Sequence, residues 1–338
     1  MHEPSRLGVV CWVLCCAGFW LAGCRGVTQV TPPCAPSGES GGTCNASSPC
    51  ARGAAAEGVS CDTPPHLPAC EVGRVWVAPK TCGPDRVRIP ASGATTRFTM
   101  GRPASDAWGH FSEQPAHQVT LSAFAIDRYP VTAAAYQACV EAGGCTAPDR
   151  GDPCTYGALE KSTHPINCVD WDQASAYCAW AGGRLPTSAE WERAAKGESP
   201  LRFPWGQDCP ASWDASCSGA EWTPATAKAN CAEDHCNDGY DHTSPVDAFP
   251  AGLSPDGLYD MVGNVWEWTR DGWLRTYTTE SVTNPTGPKN DAYRVIRGSS
   301  WHYGSFRLRA ALRFAAPPGK GQASIGFRCA ASPSAQEL

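Results

Sequence analysis

From Asn237 to Arg328 the chain has no cysteine, although it carries 20 in 338 residues. Crosslinking is therefore concentrated before that run, and only Cys329 can tie its far end back to the rest. Within the run, Arg297–Arg313 reads RGSSWHYGSFRLRAALR, packing tryptophan, histidine, tyrosine and arginine together as they often are around a site. It is either a site whose chemistry needs no thiol or one that has lost its reactive groups.

The N-terminus says how the other cysteines are to be read. MHEPSR carries one arginine and is followed by LGVVCWVLCCAGFW, an apolar run too short for a comfortable membrane span. It ends in LAGC, Leu21–Cys24, which resembles the lipobox of bacterial lipoproteins. That resemblance implies a signal peptide over residues 1–23, removed before Cys24, and acyl chains on Cys24. An ordinary secretory signal cut elsewhere is the alternative. Several acyl chains hold a protein at a membrane far better than one. The expectation is an exported, bacterial cell-envelope lipoprotein whose membrane contact runs through lipidated Cys24. Cys11, Cys15, Cys16 and Cys24 fall in this segment, leaving sixteen cysteines, an even number suited to disulfides in an oxidising compartment. Paired CxxC knuckles, which a zinc site would want, are absent.

Charged residues make up only 18%, and 34 glycines with 30 prolines point to much loop and turn. A net charge of −6 without a block of Lys or Arg excludes nucleic acid as an expected partner. Residues 24–85 are rich in Cys, Pro and Gly and lack hydrophobic periodicity. They read as a lipid-anchored linker, stapled locally by some of Cys34, Cys44, Cys50, Cys61, Cys70 and Cys82. The NAS sequon at Asn45 carries little weight in a bacterial lipoprotein. The folded domain is expected over residues 86–332, with a tail over 333–338.

In that domain, RVRIP opens structure near residue 86, and HQVTLSAFAIDRYPVT alternates like a strand before turning at Pro130. Thr132 caps a helix through AAAYQACVEA that stops at Gly143 and Gly144. VDWDQASAYCAWAGG places Ala174, Tyr177, Cys178 and Ala181 on one helical face. TSAE, Thr187–Glu190, is a capping box opening a helix through WERAAK to Gly197. Beyond it, Trp, Gly, Pro and Asp replace helical periodicity, so the class is α+β, irregular and loop-rich.

Five blocks then occur in order: HPINCVDWDQASAYCAWAGGRLPTSAEWERAAKG, FPWG, GLYDMVGNVWEWTRD, RVIRGSSW and IGFRCA. Together they resemble the formylglycine-generating enzyme (sulfatase-modifying factor) domain family over about residues 87 to 331. The resemblance implies a mixed fold of low regular content, related in outline to C-type lectins. Active members oxidise a cysteine of a substrate protein to formylglycine, using O₂ and Cu(I) held by two cysteines. Those cysteines would lie between the turn that Arg297, Gly298 and Ser300 match and the arginines that Arg309 and Arg313 match. Here the intervening WHYGSFRL is shorter and has no thiol. Soft Cu(I) wants sulfur ligands, which His302 alone does not replace. Copper chemistry is not supported.

The resemblance also implies a disulfide between Cys178 and Cys329, closing a loop of about 150 residues and contributing on the order of 4 kcal/mol. A second family bridge would fall at Ala195 and Ala310, where both cysteines are missing. Local pairs expected to compensate are Cys139–Cys145, Cys154–Cys168 and pairings among Cys209, Cys217, Cys231 and Cys236. Two structural calcium sites are implied, built from the hard oxygens that calcium takes. One is Asp260, the carbonyls of Gly263 and Val265, and Glu267, unless Glu267 salt-bridges an arginine instead. The other is Asn230, the carbonyl of Cys231, Asp238 and the carbonyl of Tyr240, unless that acidic cluster is a solvated loop.

The cleft residues to weigh are Ser300, Trp301, His302, Tyr303 and Arg309. His302 and Tyr303 invite a catalytic role and, equally, a plain hydrogen-bonded rim. Trp171, Trp191, Trp266, Trp268 and Trp301 either fill the core or line a groove for a protein, peptide or glycan. A Ser-His-Asp triad around Ser300 and His302 lacks any ordered motif. Iron of the sulfoxide-synthase kind lacks both its helical domain and an HxxxH spacing. The reading is a non-copper binding or interaction module at the cell envelope. Its alternative is an oxidoreductase of the same family acting on a protein or peptide through a non-standard site.

Overall fold

The computed structural model describes residues 74–332 apart from 79–80, 93–96, 106–108, 208–225, 233–235 and 290–291. The signal segment, Cys24 and the cysteines from Cys34 to Cys70 lie outside the described residues, as do Cys209 and Cys217.

Helix starts follow the capping chemistry written in the sequence. Helix α1 (Ala133–Glu141) is capped by the Thr132 hydroxyl, which accepts the Ala135 N–H. Helix α2 (Trp171–Trp180) starts at Asp170 and α3 (Ser188–Lys196) at Thr187, each with a complete capping box. Such reciprocal side-chain bonds satisfy amide groups that a helix start otherwise leaves orphaned. Ala174, Tyr177 and Cys178 of α2 are buried, as its spacing implies.

The strands are short and belong to four small sheets. β1 (Arg74–Ala78) and β2 (Thr81–Pro84) form a hairpin. That hairpin falls inside the segment expected to be linker, so regular structure starts before residue 86. β3 (Arg86–Ile89) pairs with β6 (Phe124–Asp127), which also pairs with β12 (Ala330–Ala331). β4 (Phe98–Met100), β5 (His117–Thr120) and β8 (Val282–Thr283) form a third sheet. The fourth runs in the order β10 (Arg313–Ala316), β9 (Arg294–Arg297), β7 (Trp266–Gly272), β11 (Ile325–Gly326).

The single strand expected from HQVTLSAFAIDRYPVT is thus two, β5 and β6, in different sheets. The break has a local cause. The Leu121 N–H is taken by Ser92 Oγ at 3.0 Å and the Ser122 N–H by Asn284 Oδ1 at 2.8 Å. Alternation cannot see these side-chain acceptors, which replace ladder bonds between the sheets.

Cys178–Cys329, Cys139–Cys145 and Cys154–Cys168 are bonded, and so is Cys231–Cys236. Ala195 and Ala310, at the family's second bridge position, are both fully buried in one apolar cluster with Trp191 and Phe98.

Every residue of α3 is buried, including Glu192, Arg193 and Lys196. Glu192 accepts from Lys196 Nζ at 2.6 Å and pairs with Arg297 at 3.0 Å, with both Glu192 and Arg297 side chains fully buried. Asp271 caps the same helix, its Oδ2 accepting the Ser188 N–H at 2.7 Å. Burial pushes the Asp271 carboxyl up to about 6. The folded form therefore holds that proton more tightly than the unfolded chain does. Its stabilising contribution is full below about pH 4 and is lost as pH rises through about 6. We predict that the melting temperature of the wild type, relative to Asp271→Asn, falls as pH rises from 4 to 7. A pH-independent difference between the two would refute that assignment.

Candidate functional site

Strand β9 delivers the chain into a turn at Gly298, Ser299 and Ser300, and this turn stacks on the loop Asp260–Val265. Gly298 and Ser299 have φ of 92° and 65°, the left-handed region that favours glycine. The Gly263 N–H donates to Gly298 O at 2.7 Å, and the Trp301 N–H donates to Asn264 O at 2.9 Å. Gly263 (φ 82°) has no room for a side chain, because a Cβ there would strike the Asn230 carbonyl. Loop Asp260–Val265 is thereby pinned between the Arg297–Arg313 segment and Asn230.

Trp301 and His302 emerge on one wall of a cleft of ≈ 520 Å³. Asp238, Tyr240, Asp241 and the Cys231–Cys236 disulfide line the rest of it. The two walls are tied together, since the Ala232 N–H donates to Tyr303 O at 3.1 Å. The Trp301 ring meets His242 edge-on at 4.7 Å, and its Nε1 donates to Ala323 O at 3.3 Å. His302 is exposed and Tyr303 half-buried.

The five cleft residues expected from the sequence therefore separate. Trp301 and His302 line the cleft. Ser300 is fully buried, its Oγ accepting the His302 N–H at 3.4 Å. Arg309 is 5% exposed and turns away into the protein, where its guanidinium pairs with the Glu113 carboxylate. Arg309 is a scaffold residue, correcting its placement in the cleft: an arginine this buried needs a carboxylate partner. Nothing in the sequence around Glu113 signalled that partner, 196 positions away.

Of the tryptophans, Trp191, Trp266 and Trp268 are core fillers, each buried to 2% exposure or less. Trp171 is part-buried, with Nε1 donating to Thr269 O at 2.8 Å and Arg294 over its ring.

The two expected calcium sets differ in what they leave free. At Asn230, Nδ2 donates to His242 O at 2.7 Å, while Oδ1 is buried without a hydrogen-bond partner. Asp238 accepts the Cys231 N–H at 2.7 Å and the Tyr240 N–H at 2.9 Å, and burial pushes its carboxyl up to about 6. The group Asn230, Cys231 O, Asp238 and Tyr240 O supplies only oxygen, including one orphaned amide oxygen, and suits a hard divalent cation.

At the other set, Asp260 (φ 51°) is buried and its carboxyl is pushed up to about 7 by that burial. Glu267 is committed elsewhere. Arg328 Nε and Nη2 reach it at 2.8 and 2.7 Å, and Trp191 Nε1 donates to it at 2.7 Å. The salt-bridge alternative for Glu267 is thus what the structure forms. The partner, Arg328 of IGFRCA, lies 61 positions away, too far for any local pattern to signal it. Asp260 Oδ2 accepts from Asn264 Nδ2 at 2.9 Å, and Arg328 donates to the Asp260 backbone carbonyl rather than to its carboxylate.

Copper(I) fits the donors poorly. The segment Arg297–Arg313 carries no thiol, and the two cysteines lining the cleft are bonded to each other. Among the described residues no three His, Cys, Asp or Glu side chains gather as a metal cluster.

The described residues thus form a small, loop-rich α+β domain in which a turn presents Trp301 and His302 beside the loop Asp260–Val265. Residues 76–333 match the sulfatase-modifying factor enzyme 1-like domain. The chain belongs to that family. It is 41% identical to the formylglycine-generating enzyme of Mus musculus over 177 residues, covering 51% of this chain but only 45% of that enzyme. The formylglycine-generating enzyme of Thermomonospora curvata is 34% identical over 304 residues, covering 76% of this chain and 96% of the enzyme. Among solved structures, PvdO from Pseudomonas aeruginosa superposes with a TM-score of 0.59 at 31% identity, covering 78% of this chain and all of PvdO.

Proposed function

We propose that this protein is a lipid-anchored binding module of the cell envelope, built on a formylglycine-generating-type domain whose copper position has been emptied. The observation that carries the reading is the thiol-free turn. The scaffold around it is intact, with the Cys178–Cys329 bridge, the Glu267–Arg328 pair and the pinned Asp260–Val265 loop. The donors that Cu(I) would need are missing at the centre of that scaffold. The anchor rests on the LAGC sequence at Leu21–Cys24. No described helix is long and apolar enough to cross a membrane. The ligand face is the cleft beside Trp301 and His302, and a protein, peptide or glycan is the ligand class it serves.

Calcium is a structural ion in this reading. Asn230 Oδ1, the carbonyls of Cys231 and Tyr240, and Asp238 hold it and fix the cleft wall. A second ion at Asp260 and the carbonyls of Gly263 and Val265 requires Glu267 to release Arg328. A ligand that binds only the folded state at about one hundred times its dissociation constant adds about 2.7 kcal/mol. For a domain this size that is a melting-temperature rise on the order of 5 °C.

The test is metal titration of the purified chain. Calcium should raise the melting temperature, chelation should reverse the rise, and Asp238→Ala should abolish it. Anaerobic Cu(I) should show no stoichiometric site against a chromophoric chelator. One equivalent of tightly bound Cu(I) would overturn the proposal, and indifference to calcium and chelator would remove its ion.

A further inference from the structure

A ladder of rings and guanidiniums crosses the surface next to the cleft. Arg275 lies over the Phe111 ring at 5.1 Å. Phe111 meets His110 at 4.1 Å, and His110 stacks on Phe314 at 5.1 Å with 22° between the planes. Arg307 closes the far end, 5.3 Å over Phe314 and 4.3 Å over Tyr303, whose own neighbour is His302 on the cleft wall. Phe111 is 45% exposed and Phe306, also beneath Arg307, is 41% exposed.

Two features separate this strip from a chance scatter of surface aromatics. First, neither Arg275 nor Arg307 has a carboxylate partner among the described residues, in a chain of net charge −6. The buried Arg309 and Arg328, by contrast, each meet a carboxylate, Glu113 and Glu267 respectively. Second, a guanidinium stacked on a ring is held flat and keeps its edge N–H groups free to fork a carboxylate. Each cation thus has an exposed phenylalanine beside it, Phe111 under Arg275 and Phe306 under Arg307.

We infer that the strip from Arg275 and Phe111 across to Phe306 and Arg307 is a docking surface for an acidic polypeptide segment, one whose carboxylates meet the two guanidiniums and whose apolar residues cover the exposed Phe111 and Phe306 rings. The inference rests on the binding-module reading and supplies the chemistry of its partner. Charge complementarity selects an acidic partner. The exposed ring beside each cation selects a chain that alternates acidic and apolar side chains over a bare polyanion. Such exposed charge pairs act chiefly on association rate and specificity, so binding should weaken as salt screens them.

Fluorescence anisotropy of the full chain with a labelled decapeptide of alternating Glu and Phe tests this. Its counterpart with Lys in place of Glu is the control. The acidic peptide should bind, the basic one should not, and raising salt from low to physiological strength should loosen the complex. Arg275→Glu with Arg307→Glu should weaken binding by roughly tenfold or more. Arg307→Lys, which keeps the charge but not the planar stack, should fall between. Phe111→Ala should weaken binding without altering the melting temperature, since the ring is exposed. Equal binding of the two peptides overturns the inference, as does affinity unchanged by the double reversal. Capture by phosphatidylglycerol vesicles with the same dependence on Arg275 and Arg307 would also overturn it, assigning the strip to a membrane. A failed peptide assay with copper still unbound would sink this surface alone and leave the module reading standing.

Discussion

Replacing Arg328 with methionine should cost the domain about 3–5 kcal/mol, the range seen when one partner of a buried ion pair is removed. Arg328 is fully buried and donates to both Glu267 oxygens and to the carbonyls of Asp127, Arg128, Tyr259 and Asp260. Its loss leaves Glu267 with the Trp191 indole as its remaining described donor, and leaves four carbonyls facing an apolar side chain. For a domain of this size that is a fall in melting temperature of about 10 °C, read by circular dichroism. Because the penalty comes from the stranded charge, Glu267→Gln combined with Arg328→Met should recover part of it. Equal losses in the single and double variants would show that the carbonyl contacts, not the ion pair, dominate.

Cys178→Ser with Cys329→Ser should be the other large effect. The bridge joins residues 151 apart, linking α2 to the stretch just before β12. Both sulfurs sit in residues with no solvent exposure, within the apolar cluster around Tyr136, Tyr177 and Phe327. Restricting so long an unfolded loop contributes about 4–5 kcal/mol on the chain-entropy account, and removing native bridges commonly costs about 2–5 kcal/mol. By contrast, Cys139→Ser with Cys145→Ser opens a loop of only 6 residues and should cost less. If the short bridge proved the more costly, loop closure would not be the source of the stability.

How much of this was legible in the sequence depended on how local the signal was. Thr132, Asp170 and Thr187 announce helix starts because a cap and its amide lie three residues apart. The break at Leu121 was hidden because its acceptors come from Ser92 and Asn284, distant in the chain. Helix α3 shows the same limit more sharply. The capping box marks where SAEWERAAK starts but not that the whole of it is buried, since Arg297 and Gly101 come from elsewhere to satisfy Glu192.

The site divides in the same way. The absence of thiols in Arg297–Arg313 is a matter of composition and is visible at once. The Cys178–Cys329 pairing and the oxygen donors around Asn230 came from resemblance, because the residues that form them are not adjacent. Arg309 was placed in the cleft by its motif position, and only the three-dimensional partner, Glu113, shows that it belongs to the scaffold. The ring and guanidinium ladder was unreadable, since Phe111, Arg275 and the Arg307–Phe314 segment come from three separate stretches of chain.

The proposed loss of copper chemistry rests on the absence of thiols from Arg297–Arg313. The most direct measurement is oxygen uptake by the purified chain supplied with Cu(I) and a cysteine-containing peptide, with the peptide analysed for an aldehyde by mass spectrometry. The account predicts no uptake above the copper-only control and an unchanged cysteine. Sustained, enzyme-dependent uptake with an aldehyde at that cysteine would contradict it.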